Sequence, residues 1–211
     1  MKIIRHIALL VACLSAAVSV AWADGKSEAM LDALAGRIRA LGAYKVQFTA
    51  SAESTEVSGE YIVSGNRFYM KVPGVEIVSD GAERYEVNHE FREIAIDKAA
   101  PGSSNILTNP VGAFEFANAN FASEYAGTAN VGGKECDIVK LTPKQKGTNI
   151  TLLVLAIEKA SGLPRSLEYS ADGIAGSVVV SVTSFGSYTG EGGIFSFDPQ
   201  RYEGYEITDF R

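Results

Sequence analysis

The residue types that carry most enzymatic chemistry are scarce in this sequence. It contains two histidines, His6 and His89, and His6 falls within the first 23 residues, which have the pattern of a cleaved signal peptide. A multi-histidine metal site is therefore excluded, and a Ser-His-Asp triad is disfavoured because His89 sits in a predicted turn between Asn88 and Glu90. The chain also contains no G-x-S-x-G, P-loop, G-x-G-x-x-G or C-x-x-C motif.

Cys136 and the carboxylates are weak candidates for catalysis. Cys136 lies between Glu135 and Asp137, whose negative charges disfavour the reactive thiolate. Those two carboxylates could serve as an acid/base pair, but a chain with 25 acidic residues offers many such pairs. None of the acidic clusters has the spacing of a calcium-binding loop. We therefore expect no enzyme active site, no metal and no cofactor.

The length and composition indicate one or at most two folded domains and argue against nucleic-acid binding. The chain has 211 residues, of which 46% are hydrophobic, and this is enough apolar material for a core. Its net charge of −6 lacks the basic footprint of a nucleic-acid-binding protein.

The first 23 residues have the pattern of a signal peptide. Two basic residues precede an apolar run over 7–20, and Ala-Trp-Ala at 21–23 is a cleavage signature. The run is too short to span a bilayer comfortably. An alternative is lipidation at Cys13, because the four residues that end there resemble a lipobox. We predict export to the periplasm with cleavage near Ala23, and one domain over 24–211.

One amphipathic helix is predicted at the start of that domain. Leu31, Leu34 and Ile38 recur at helical spacing, and the charged residues lie mostly elsewhere on the helical wheel. Ser27 is a plausible N-cap and Gly42 a plausible end.

After Gly42 the hydrophobic pattern has a period of two. Val46 and Phe48, for example, alternate with polar residues, and turn signals such as Asp80-Gly81 separate the segments. We count about eleven strand candidates, with no linker and no repeat. The segment 99–120 interrupts them, and a short helix is predicted to begin at Pro110.

A long antiparallel meander must protect its edges, most simply by curling into a barrel. About eleven strands enclose more space than a few side chains fill, so such a barrel needs a plug, a lid or a ligand. The N-terminal helix and the predicted helix at Pro110 are candidates for this plug or lid. Two packed sheets remain the alternative to a barrel. The inward positions would form either a packed core or a cavity lining; they are Val46, Phe48, Tyr61, Val63, Phe68, Met70, Ile77, Tyr85 and Val87.

Several short motifs, in this order, resemble the outer-membrane lipoprotein carrier family (LolA-like proteins). At two points the family residue differs, because Tyr85 stands where Trp is usual and Val87 where Tyr is usual. The resemblance covers nearly all of 24–211. The matching segments are Tyr44-Lys45-Val46-Gln47-Phe48, Gly59-Glu60-Tyr61, Gly65-Asn66-Arg67-Phe68, Ile77-Val78-Ser79-Asp80-Gly81, Asn109-Pro110 and Phe195-Ser196-Phe197-Asp198-Pro199.

The resemblance implies a mainly β fold with a few helices: an unclosed antiparallel β-barrel with a helical lid over an apolar cavity. It implies a periplasmic carrier that binds acyl chains of lipoproteins and shuttles them from an inner-membrane releasing complex to an outer-membrane acceptor. We expect such a protein to be a monomer and to need no catalytic residue. The expected cavity residues are Phe48, Tyr61, Val63, Phe68, Met70, Ile77 and Tyr85, and the expected lid residues are Leu31, Leu34, Ile38 and Phe114.

One family feature has no direct counterpart, and other functions stay open. Family members close the lid with an arginine, but Gly65 falls near that position, and Arg67 is two residues further along. One alternative function is a periplasmic module that binds another hydrophobic ligand or a protein partner. A second is a hydrolase that uses carboxylates or serine hydroxyls in the cavity.

Overall fold

The computed structural model describes residues 25–99, 121–144, 150–171 and 176–211. Within these ranges it contains helix α1 (residues 25–41), one mixed β-sheet and two short 3₁₀ helices, Gly192–Phe195 and Pro199–Tyr202. Several predictions fall outside the described residues: the signal peptide with Cys13 and Ala23, the helix predicted to begin at Pro110, and the lid role predicted for Phe114.

The sheet has twelve strands in the order β12-β6-β5-β4-β3-β2-β1-β11-β10-β9-β8-β7. Neighbours are antiparallel except β12 and β6, which are parallel. The strands are β1 (Ala43–Ala52), β2 (Thr55–Ser64), β3 (Arg67–Val72), β4 (Val75–Ser79), β5 (Glu83–Asn88), β6 (Glu93–Lys98), β7 (Phe121–Val131), β8 (Lys134–Pro143), β9 (Ile150–Glu158), β10 (Pro164–Ala171), β11 (Val178–Ser187) and β12 (Glu206–Asp209).

The end strands β7 and β12 do not pair with each other, so the barrel is not closed. This confirms the predicted fold class, an unclosed antiparallel β-barrel with a helix. The strand count exceeds the predicted eleven by one because the C-terminal segment adds β12, which lies parallel to β6.

The two faces of the sheet have different partners. We call the face that carries Val46 and Phe48 the inner face, and the opposite one the outer face. Opposed residues in an antiparallel pair point the same way, so Tyr61, opposite Val46, and Met70, opposite Tyr61, also lie on the inner face. The inner face holds the main apolar core.

Helix α1 packs on the inner face. Leu31, Leu34 and Ile38 are 2%, 1% and 7% exposed and belong to the same buried cluster as Leu153 and Leu155 of β9. Residues three and four apart share one helix face, which explains why these three are buried together.

Polar contacts fix both ends of α1. Near its start the Ser27 hydroxyl lies 2.8 Å from that of Ser123 on β7, and near its end the Arg37 guanidinium donates to the Ser161 carbonyl at 3.0 Å. Because 25 and 26 are already helical, the prediction that Ser27 is the N-cap is wrong. The predicted end at Gly42 is confirmed: its φ is +70°, which glycine adopts without steric cost.

The C-terminal segment covers the outer face of β4–β6. Val87, Ile94, Ile96 and Tyr202 form a second buried cluster there. Tyr85 stacks on Phe197 with ring centroids 4.3 Å apart. The strands β4–β6 are therefore covered on the outer face by the tail that follows β11.

Gly59 is required by close packing on the inner face, where it lies opposite Phe48. A Cβ atom at this position would lie 2.7 Å from Phe48 Cζ, 2.8 Å from Val72 Cγ1 and 2.9 Å from the Lys71 carbonyl oxygen. Because one of these neighbours is backbone, a side chain here must displace β3 as well as two side chains.

We expect Gly59→Ala to lower the free energy of unfolding by about 1–3 kcal/mol through overpacking, as measured by urea denaturation. Gly36→Ala is the matched control, because the space around Gly36 in α1 is empty. This control should instead raise stability by about 0.5–1 kcal/mol, since alanine is the better helix former. Equal effects of the two substitutions would contradict the packing described.

Candidate functional site

An apolar cavity of about 310 Å³ lies against the inner face of β1–β5, β10 and β11. It is roughly twice the ~150 Å³ of an engineered apolar cavity that binds benzene, and it falls at the lower end of the range for ligand pockets. Most of its lining is aliphatic and includes Val46, Ala50, Val57, Val72, Val180 and Val182.

The cavity lies beside α1 rather than beneath it. The buried residues Leu31, Leu34 and Ile38 do not line the cavity; they pack into the core, and the helix ends are tied to β7 and to the turn after β9. The helix therefore fills the part of the inner face near β7–β9, and the part near β1–β5 retains the cavity.

Four of the seven predicted cavity residues line this space: Phe48, Tyr61, Met70 and Ile77. Val63 and Phe68 lie on the same face, opposite each other in β2 and β3, and are 3% exposed within the adjoining core. The structure thus brings six of the residues together on one face. Their part in lipid binding stays a prediction.

The inward orientation predicted for Tyr85 and Val87 is wrong. Ile77 lies opposite Glu86, so Glu86 shares the inner face and its neighbours in β5 point outward. The reason is the turn before β5, where the Asp80 carboxylate accepts hydrogen bonds from the amides of Ala82 and Glu83 at 2.8 and 2.9 Å. The chain resumes from this turn with its alternation shifted by one residue.

The same shift places a charged group at the cavity. Glu86 lines it, and Arg84 lies two residues earlier on the same face, opposite Asp97 of β6. Arg84 Nη2 donates to Glu86, and Arg84 Nη1 donates to Asp97 Oδ2 at 3.3 Å. Sequence reasoning missed this charged group. The alternation of Arg84 and Glu86 with Tyr85 and Val87 shows that the two charged residues share one face of β5, and that pattern could have identified the group.

Tyr61 does not add a second charge to the lining. Burial, with a smaller contribution from Tyr44, raises the pKa of the Tyr61 phenol well above its usual range. Among the described lining residues, the acidic side chain is that of Glu86.

Arg67 lies on the outer face and not at the cavity. Its guanidinium carbon is 5.0 Å from the centroid of the Phe195 ring, and Nη2 donates to the Ser64 hydroxyl at 3.3 Å. Arg67 therefore cannot occupy the position of a lid-closing arginine on the inner face.

His89 also belongs to the outer face. Its Nδ1 lies 3.1 Å from the Tyr205 hydroxyl, and its Nε2 lies 3.7 Å from the buried Glu76 carboxylate. Burial acts to raise the pKa of Glu76, but hydrogen bonds from Lys71 at 2.9 Å and from Tyr202, together with the nearby positive charges, outweigh it and hold this pKa below its usual value. These contacts attach the C-terminal segment to β4.

Two further findings bear on chemistry. Burial raises the pKa of the Cys136 thiol, which disfavours its nucleophilic form. In the described ranges, no three His, Cys, Asp or Glu side chains lie close enough to hold a metal ion.

None of the helices in those ranges has both the length and the apolar content needed to span a bilayer.

Sequence comparisons gave no match to a protein-family model or to a curated protein. Structural comparison did find similar folds. A crystal structure of an uncharacterized conserved protein from Thermus thermophilus matches with a TM-score of 0.62 at 9% identity, over 87% of this chain and 99% of that one. LprF from Mycobacterium bovis matches with a TM-score of 0.50 at 12% identity, over 79% and 95%.

A third similar structure is the LolA superfamily protein NE2245 from Nitrosomonas europaea, with a TM-score of 0.37 at 10% identity, over 74% and 90% of the two chains. The first two similarities establish the fold alone. The chain thus shares its fold with these two proteins of known structure.

Proposed function

We propose that this protein is a periplasmic carrier that holds an acyl chain of a lipoprotein in the inner-face cavity and moves the lipoprotein between the two membranes. The observation that supports this most is the cavity itself, whose lining is mostly apolar and comes from seven strands. Each methylene moved from water into such a space favours binding by about 0.8 kcal/mol.

The size of the cavity limits what it holds. If a methylene takes up about as much space as a water molecule in the liquid, roughly 30 Å³, then 310 Å³ admits on the order of ten methylenes. The described walls thus suit much of one acyl chain rather than three complete chains.

The arrangement supports binding without catalysis. Ser166 is the serine in the described lining, but His89, which could activate it, faces Tyr202 and Tyr205 on the outer face. A serine hydroxyl that has no histidine beside it lacks its usual general base and is a weak nucleophile. Carrying an acyl chain requires no bond to be made or broken.

The test is a binding measurement on protein purified from cells that express the full chain. Affinity is compared for a triacylated lipopeptide and for the same peptide without its acyl chains. We expect binding of the acylated form alone. Equal affinity for both would indicate peptide recognition instead, and binding of neither would overturn the proposal. Fractionation of the same cells tests the periplasmic location.

A further inference from the structure

The charged group on β5 and β6 stands where the apolar lining ends. Glu86 is part of the cavity wall, directly opposite Ile77, which is also in that wall. Arg84 and Asp97 lie opposite each other on the same face. A chain that fills the cavity would therefore have its polar end within reach of this group when that end points toward β5.

Two carboxylates share one guanidinium in this group. Arg84 donates to both Glu86 and Asp97, so the group has one negative charge in excess. A carboxylate has about four lone-pair sites, and among the described residues Arg84 is the side-chain partner of each. Both carboxylates can therefore accept further hydrogen bonds.

Exposure decides which charge a ligand meets. The Arg84 side chain is 16% exposed, whereas those of Glu86 and Asp97 are 40% and 41% exposed. The guanidinium is thus covered, and the carboxylates are accessible. An anionic head group would meet like charge, while a cationic donor would find unused acceptors.

We propose that this group selects amphiphiles whose acyl or alkyl chain is followed by an ammonium group. The inference rests on the proposed function, because the chain must occupy the cavity for its head to reach Glu86. It adds that Glu86 determines specificity and disfavours free fatty acids as ligands.

The experiment compares three ligands of equal chain length below their micelle concentrations: dodecylamine, dodecanol and dodecanoate. Affinities are measured by calorimetry at neutral pH on protein from cells that express the full chain. Because a hydrogen bond to a charged group contributes about 1.5–3 kcal/mol, we expect dodecylamine to bind at least about tenfold more tightly than dodecanol. Dodecanoate should bind most weakly.

Glu86→Gln keeps the size of the side chain and removes its charge. This variant should retain dodecanol binding and reduce the preference for the amine to less than about threefold, since most of the charge-assisted hydrogen bonding is lost. Asp97→Asn should reduce the preference for dodecylamine less than Glu86→Gln does, because Asp97 does not line the cavity. The matched control is Glu60→Gln, a strand carboxylate on the outer face that pairs with Lys45 at 2.8 Å; it should leave the preference unchanged.

The outcomes separate this inference from the proposed function. Equal binding of the three ligands, a preference for dodecanoate, or an amine preference that survives Glu86→Gln would overturn the inference and leave an acyl-chain cavity in place. Binding of none of them would count against both.

A second comparison identifies the source of the ammonium group. It uses a diacylated lipopeptide with a free α-amino group and the same lipopeptide after N-acetylation. Tighter binding of the free amine assigns the ammonium group to the lipidated peptide. Equal binding, with the dodecylamine preference intact, assigns it to an amino-lipid head group.

Discussion

Ala50→Phe is expected to weaken binding of the acylated lipopeptide roughly 100-fold while the protein stays folded. Ala50 lines the cavity between Val57 of β2 and Val180 of β11, so its Cβ points into the empty space. A phenyl ring there displaces roughly four methylenes of a bound chain, at about 0.8 kcal/mol each. The loss is about 3 kcal/mol, which corresponds to that change in affinity.

Thr49→Phe is the matched control for this substitution. Thr49 is the preceding residue of β1, and its hydroxyl lies 3.4 Å from that of Ser58 on the outer face. The same ring added there should leave affinity within about twofold of the unchanged protein, since it removes no cavity space. Thermal unfolding checks that both variants fold. Undiminished affinity of a folded Ala50→Phe variant would show that acyl chains bind elsewhere.

Leu34→Ala is expected to lower the free energy of unfolding by about 3 kcal/mol, within the range for buried leucines. Leu34 is 1% exposed and lies in one buried cluster with Leu153 and Leu155 of β9. Its removal leaves a void, because the contacts at both ends of α1 restrict how far the helix can settle onto the sheet. Urea denaturation measures the change.

Leu41→Ala makes the same chemical change at the end of the same helix, where the side chain is partly buried. We expect it to lower the free energy of unfolding by less than half as much as Leu34→Ala does.

The effect of Leu34→Ala also decides between two roles for α1. A lid that spends its time open contributes little to stability, so a loss below about 1 kcal/mol for Leu34→Ala would favour a mobile lid over a helix packed in the core.

Features that depend on neighbouring residues could be predicted from the sequence. The spacing of Leu31, Leu34 and Ile38 identifies α1, and the alternation around Val46 and Phe48 identifies β1, because both patterns record which side of a local element is apolar. The same reasoning failed at Tyr85, since the number of residues consumed by the turn at Asp80 sets the phase of the next strand.

Features that depend on distant parts of the chain could not be predicted in this way. The residues of β12 are all exposed and carry no burial pattern; the strand forms because its backbone pairs in parallel with β6, where Ile207 lies opposite Ile94. The C-terminal cover over Val87 and Ile96 is likewise a tertiary feature.

The alternation of apolar and polar residues also could not show where the packed core ends and the cavity begins. Tyr61 and Met70 form one opposed pair and Val63 and Phe68 the next, all with the same inward parity. Only the first pair lines the cavity. Parity identifies a face of the sheet, whereas the position along the strand, relative to the elements packed above it, decides whether a side chain meets another side chain or empty space.

The pairing of β1 with β11 has a consequence for how the chain folds. Phe48 lies opposite Gly59 on one side and opposite Val182 on the other, so β1 joins a local hairpin to a partner near the end of the sequence. Contacts of such long range make folding slow, because a large loop must close before they form. During synthesis β1 to β6 can pair as successive hairpins. The amide and carbonyl groups on the other edge of β1 stay unpaired until β11 has been synthesised. An apolar strand in that state is a template for aggregation, and the newly made chain needs protection until its last quarter is available.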